Sequence, residues 1–122
     1  MNPKLPALLS LQGNDTAKEQ FIYELSRALG LKTSAAQVFL EIALENVLLM
    51  DAKQQDYGSS NITKGGTFGC ILRSSDKFER LFNLFQKRKR KAINESIIDS
   101  FRDISNYMNI AIMIEKGQWP KE

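Results

Sequence analysis

Glu41 and Glu45 stand four residues apart, as do Asp99 and Asp103, with Glu95 four before Asp99 and Asn106 three after Asp103. On a helix this spacing stacks each set on one face, where like charges cost roughly 0.2–0.5 kcal/mol per pair. Arg102, solvent or a bound cation must dissipate that repulsion. If the two helices pack side by side, Glu41, Glu45, Asp99 and Asp103 converge, which is a common way to build a metal site in a helical bundle. The chain has no histidine and a single cysteine, Cys70, so a structural zinc site and histidine-based catalysis drop out. Oxygen ligands favour Mg2+, with Mn2+ or calcium as alternatives. Such an ion would activate a water and stabilise a phosphoryl transition state. Arg73, Lys77 and Arg80 recur at helical spacing and could hold the phosphates.

The elements that must position these groups are helical. The apolar face of Phe21, Ile22, Leu25, Ala28 and Leu29 predicts a first helix over 15–30, capped by Asn14 or Asp15 and ended by Gly30. Thr33 or Ser34 opens a second, over 34–54, apolar nearly all round (Val38, Phe39, Leu40, Ile42, Leu44, Val47, Leu48) and therefore expected to be buried. Glu41 and Glu45 sit inside it, and carboxylates in apolar surroundings are costly unless paired or coordinated. Gly, Ser and Asn mark 55–66 as a loop. A third helix over 67–86 places Phe68, Ile71, Leu72, Phe78, Leu81, Phe82 and Phe85 inward, with Arg73, Asp76, Lys77 and Arg80 opposite. The cations Lys87, Arg88, Lys89, Arg90 and Lys91 close it or form the next turn. Asn94 caps a fourth helix over 94–114, with Ile97, Phe101, Ile104, Met108, Ala111 and Ile112 as its apolar stripe and Gly117 as its end.

The expected fold is all-α, a four-helix bundle-like single domain over 14–117, with an irregular lead-in at 1–13 and a tail at 118–122. The second helix is too apolar for a monomer of 122 residues, so a homo-oligomer, dimer or tetramer, is expected. A net charge of +3, from 17 basic and 14 acidic residues, is too mild to imply nucleic-acid binding by itself. No signal-peptide pattern and no long uninterrupted apolar run is visible, so a cytoplasmic location without a membrane partner is the expectation.

One series of short motifs is distinctive: Lys53-x-x-Asp56-Tyr57-Gly58, Gly69, Arg73, Asp76-Lys77, Arg80-Leu81, Glu95-Ser96-Ile97-x-Asp99, Asp103 and Asn106-Tyr107. Across roughly 40–114 it resembles the nucleotide modification associated domain, type one, of phages and bacteria. The resemblance implies a role in nucleotide or modified-base metabolism. More distantly, the layout is similar to the all-α MazG-like and dimeric dUTPase pyrophosphohydrolases, which hold magnesium with an E-x-x-E and an E-x-x-D pair. Here Glu41-x-x-x-Glu45 and Asp99-x-x-x-Asp103 are one residue wider, though still on one helical face.

Together these readings predict Mg2+-dependent hydrolysis of a nucleoside triphosphate to monophosphate and pyrophosphate. Glu41 and Glu45 would be the catalytic pair, and Glu41, Glu45, Asp99 and Asp103 the metal ligands. Arg73, Lys77 and Arg80 would take the phosphates, Asp56 and Tyr57 the base or sugar, and Asn106 the nucleotide. Two alternatives stand beside it: a non-catalytic phage protein that sequesters a signalling nucleotide, and a nucleic-acid or protein adaptor using the cations at 87–91. Plainer readings compete for each feature: solvated acidic pairs, a surface stripe paired with Asp76 and Glu79, a solvated basic turn, and Tyr57 and Trp119 as packing residues.

Overall fold

A computed structural model describes residues 15–88 and 96–120. Among the described residues there are four α-helices and no strand: α1 (Asp15–Leu29), α2 (Ser34–Tyr57), α3 (Ser60–Phe82) and α4 (Ile97–Glu115), with a π-helical turn (Asn83–Arg88) continuing α3. The fold is all-α, as expected. No single described helix is long and apolar enough to cross a membrane. The chain divides into two compact units, Met1–Leu49 and Met50–Glu122, with the boundary inside α2. The expected lead-in at 1–13, Asn14 and Asn94 as caps, Glu95, and Lys89 to Lys91 of the basic run lie outside the described residues.

Local chemistry sets the first helix ends. Gly30 N–H donates to Arg27 O and Leu31 N–H to Ser26 O, both at 3.0 Å, which closes α1 in a Schellman motif. Thr33 Oγ1 accepts from Ala36 N–H at 3.1 Å and caps α2. Gly117 and Gln118 close α4 in the same way, donating to Ile114 O and Met113 O. The cap that opens α4 is Ser96, whose side chain accepts from Asp99 N–H at 3.3 Å.

The stretch expected to be a loop, 55–66, is mostly helical. The chain reverses at Gly58 (φ 73), and α3 starts at Ser60. Tertiary contacts override the loop-forming composition. Ile62 is buried with Cys70 and Ile110, against Met50, Tyr107, Ala111, Ile114 and Trp119. The Trp119 indole N–H donates to Ser59 O at 3.3 Å. Trp119 is thus a packing residue with one polar tie. Burial pushes the Cys70 thiol above its ordinary value, against a smaller opposing effect from the nearby Arg73 charge. The helix bends at Gly66, which has φ 59 and ψ −153, a region that only glycine enters without strain.

The largest departure concerns which helix faces point inward. On α4 the buried side chains are Ser100, Asp103 and Ile110. The expected apolar stripe is split: Phe101, at 47%, Met108 and Ile112, at 53%, are exposed, Ile97 and Ile104 are half-buried and Ala111 packs on the core, whereas Ser100 is 0% and Asp103 8% exposed. On α3, Cys70, Ser74 and Leu81 are buried while Phe68, Ile71, Leu72, Phe78 and Phe82 are exposed, as is Phe85 in the π-helical turn. The one buried residue of α2 is Asn46, and Val38, Phe39, Ile42 and Val47 are exposed. The helices of the second unit thus meet through a small apolar cluster flanked by Ser74, Ser100 and Asp103, and leave many large apolar side chains uncovered.

Replacing Gly66 by alanine should cost about 1–3 kcal/mol, because its backbone region is closed to a Cβ. Gly69 is helical, and an added Cβ there would meet nothing within 4 Å, so Gly69→Ala should stabilise by about 0.5–1 kcal/mol. Urea unfolding of both variants checks this; equal effects would place the bend elsewhere.

Candidate functional site

Three helices of the second unit each present one face to a cavity of about 390 Å³. The end of α2 supplies Met50, Lys53, Gln54 and Tyr57; α3 supplies Asn61 and Ile62 before the bend and Arg73 and Lys77 after it; α4 supplies Asp103, Asn106, Tyr107 and Ile110. The spacings 50/53/54/57, 73/77 and 103/106/107/110 are those of single helical faces. The volume falls within the range of small-molecule sites.

Asp103 is the electrostatic centre. Lys53 Nζ donates to its Oδ1 at 2.7 Å, and Lys77 Nζ lies 3.0 Å from its Oδ2. Burial acts to raise the Asp103 pKa, but the two lysine hydrogen bonds and charges outweigh it and hold the carboxyl below its ordinary value. Arg73 donates from Nη2 to Asn61 O at 3.0 Å, and its guanidinium carbon stands 6.0 Å from the centre of the Tyr107 ring. Backbone and aromatic contacts thus orient Arg73. Three cations (Lys53, Arg73, Lys77) against one carboxylate (Asp103) give the charged lining a net +2, that is 3 − 1. Asn61 Oδ1 is buried with no hydrogen-bond partner, a state that costs roughly 1–3 kcal/mol.

The cleft gathers Tyr57, Arg73, Lys77, Asn106 and Asp103. Arg80 is drawn away from the cavity, with Nη1 donating to Ser100 Oγ at 2.7 Å. Asp56 is exposed and does not line it. Asp99 is exposed in the first turn of α4, where the helix dipole favours its charge. Glu41 and Glu45 belong to the first unit, where Lys18 Nζ lies 2.7 Å from Glu41 Oε1 and 3.8 Å from Glu45 Oε1. Among the described residues no three acidic or cysteine side chains group as metal ligands.

As donors, the two acidic positions differ. Glu41 and Glu45 both lie within 4 Å of the Lys18 ammonium, and two carboxylates are only part of the oxygen set that a hard divalent ion takes. Both oxygens of Asp103 are engaged by lysines, which suits an anion-binding cleft better than a metal centre. Sequence reasoning assigned no role to Lys53, Asn61 or Tyr107. The spacings Lys53/Tyr57 and Asp103/Tyr107 were the available signal; nothing in the sequence marks Asn61. Compared with known proteins, the chain matches no family model, no curated protein and no solved structure.

The lowered Asp103 pKa fixes the sign of a stability effect. Its contribution is present above the ordinary aspartate pKa of about 3.9 and is lost as pH falls through the lower native value. Asp103→Asn should therefore be less stable than the parent by about 1–2 kcal/mol near neutral pH, a figure reduced because both lysines are partly solvated. The gap should close as pH drops below about 4. Urea titrations across pH test this, and a gap independent of pH would refute the lysine–Asp103 pairing.

Proposed function

We propose that the protein binds a nucleotide in the cationic cleft of its second unit. The observation that carries this is the net positive lining built around Asp103, combined with ring and amide groups. Lys53, Arg73 and Lys77 supply charge for phosphate. Tyr57 and Tyr107 offer aromatic surface for a base, and Asn106 offers hydrogen bonds. The resemblance of 40–114 to the nucleotide modification associated domain supports the same ligand class. Binding without turnover is the form this geometry favours, because the one carboxylate that lines the cleft among the described residues is committed to two lysines.

Magnesium-dependent hydrolysis is a second reading, favoured by one observation: Glu41 and Glu45 reach toward a single cation, Lys18. There they would hold Mg2+ or Mn2+, which would polarise a phosphoryl oxygen or activate water. Binding tested by calorimetry against nucleotides, with EDTA and with Mg2+, separates the readings. Arg73→Ala and Lys77→Ala should each weaken nucleotide binding about 10–100-fold, the loss of one hydrogen bond to a charged group. Unchanged affinity in both variants would sink the cleft as the binding site. Pyrophosphate release that needs Mg2+ and disappears in Glu41→Gln would establish hydrolysis.

The working form we propose is a homo-oligomer, dimer or tetramer, in the cytoplasm, with the helices completing a bundle between copies. Phe68, Ile71, Phe78, Phe82 and Phe85 on α3 and its π-helical turn, and Ile98, Phe101, Met108 and Ile112 on α4, are all exposed. They follow the alternating three-and-four spacing of a coiled-coil seam, interrupted by Ser75 and Ser105. Nine large side chains about half open leave on the order of 800–900 Å² of apolar surface, at roughly 200 Å² per whole side chain. A standard interface needs about 800 Å² per partner. Light scattering should give a mass above that of one chain, and Phe82→Asp with Phe101→Asp should lower it. A parent protein that is monomeric would overturn this part.

A further inference from the structure

We infer that the ligand of this cleft is a nucleoside monophosphate held without a metal ion, and that Asn61 reads its nucleoside part. The inference rests on the nucleotide reading above and narrows it. Two lysines share one carboxylate, so the Lys53–Asp103–Lys77 group retains one positive charge, and Arg73 adds a second. A phosphate monoester carries about −1.5 to −2 at neutral pH and matches that surplus. A free triphosphate brings roughly two further negative charges, for which the charged lining has no counterpart. Proteins that take triphosphates commonly meet that excess with magnesium held by carboxylates and phosphates. In this cleft the carboxylate is already neutralised. The cavity, about 390 Å³, also lies toward the small end of ligand sites.

Asn61 supplies the specificity. Its carbonyl accepts from Arg73, which fixes the residue beside the phosphate-binding cation. Its side-chain Oδ1 has no partner in the protein although the atom is buried. Buried polar atoms left unmatched are uncommon in folded proteins. A small rotation of the amide toward the cavity that Asn61 lines would let it accept an N–H or O–H from base or sugar. A dianionic phosphate monoester has no such donor, so the amide reads the nucleoside part and not the phosphate.

The test is calorimetry on the full-length protein with mono- and triphosphates of each common base, in EDTA, with methyl phosphate as a further probe. One monophosphate should bind at least tenfold tighter than its triphosphate. Magnesium should leave the monophosphate affinity unchanged and improve the triphosphate, whose charge it lowers. Asn61→Ala should weaken the monophosphate about tenfold and leave methyl phosphate, whose dianion has no donor, unaffected, with helix content verified by circular dichroism. Asn61→Ser keeps a small polar group and guards against a packing defect: it should bind more tightly than Asn61→Ala. Triphosphates binding as tightly as monophosphates in EDTA would overturn the inference, as would monophosphate affinity indifferent to Asn61. Absence of binding by every nucleotide would instead remove the nucleotide reading itself.

Discussion

The ion triad of Lys53, Asp103 and Lys77 ties the last turns of α2 to α3 and α4 through a single carboxylate. Each lysine keeps part of its side chain in water while Asp103 is nearly covered, so the desolvation cost falls mainly on one group. Two charge-assisted hydrogen bonds offset that cost and leave the carboxyl easier to ionise than in solution. The cavity depends on this arrangement. Removing the acid would leave two ammonium groups facing each other across it, and removing either lysine would leave the acid short of a partner.

A polar cleft between helices leaves less interior for apolar side chains. The small apolar cluster around Ile62, Cys70 and Ile110 is extended by half-buried neighbours such as Tyr107 and Trp119. The large phenylalanines of α3 lie on another face. The second unit therefore buries Asp103 and the hydroxyls of Ser74 and Ser100 beside that small cluster and turns its seam-spaced apolar groups outward. That inversion makes sense physically if the second surface is covered by another chain, because a polar interior alone stabilises a domain weakly. The cationic cleft and the proposed oligomer interface are thus two faces of the same pair of helices.

The segment between Gly58 and Gly66 joins these two requirements. It carries Ile62 into the core and Asn61 to the cavity wall, and Trp119 holds its first carbonyl. Composition marks it as a loop because glycine, serine and asparagine satisfy their own backbone in irregular turns. Burial of one isoleucine and one indole hydrogen bond, both to distant parts of the chain, makes it helical instead. Gly66 then allows α3 to bend so that Asn61 and Arg73 face each other.

Local rules settled the helical class and the ends at Gly30 and Gly117, and narrowed the second cap to Thr33 or Ser34, because each depends on residues within one turn. Helical spacing also grouped Arg73 and Lys77 with Arg80, and Asp103 and Asn106 with Asp99; the cavity takes Arg73, Lys77, Asp103 and Asn106 and leaves Arg80 and Asp99 outside. Which face turns inward was not legible. A period of 3.6 residues marks two opposed stripes equally well, and on α3 and α4 the apolar one was the natural choice for the core. Tertiary packing took only part of it, Leu81 and Ala111 among them, because Lys53 from α2 and Lys77 from α3 offer Asp103 a partnership that sequence distance conceals. For the same reason Glu41 and Glu45 found Lys18 within their own unit, while Asp103 found lysines rather than further carboxylates. Charge pairing is set by which helices come within a few ångströms, and that is a property of the folded chain alone.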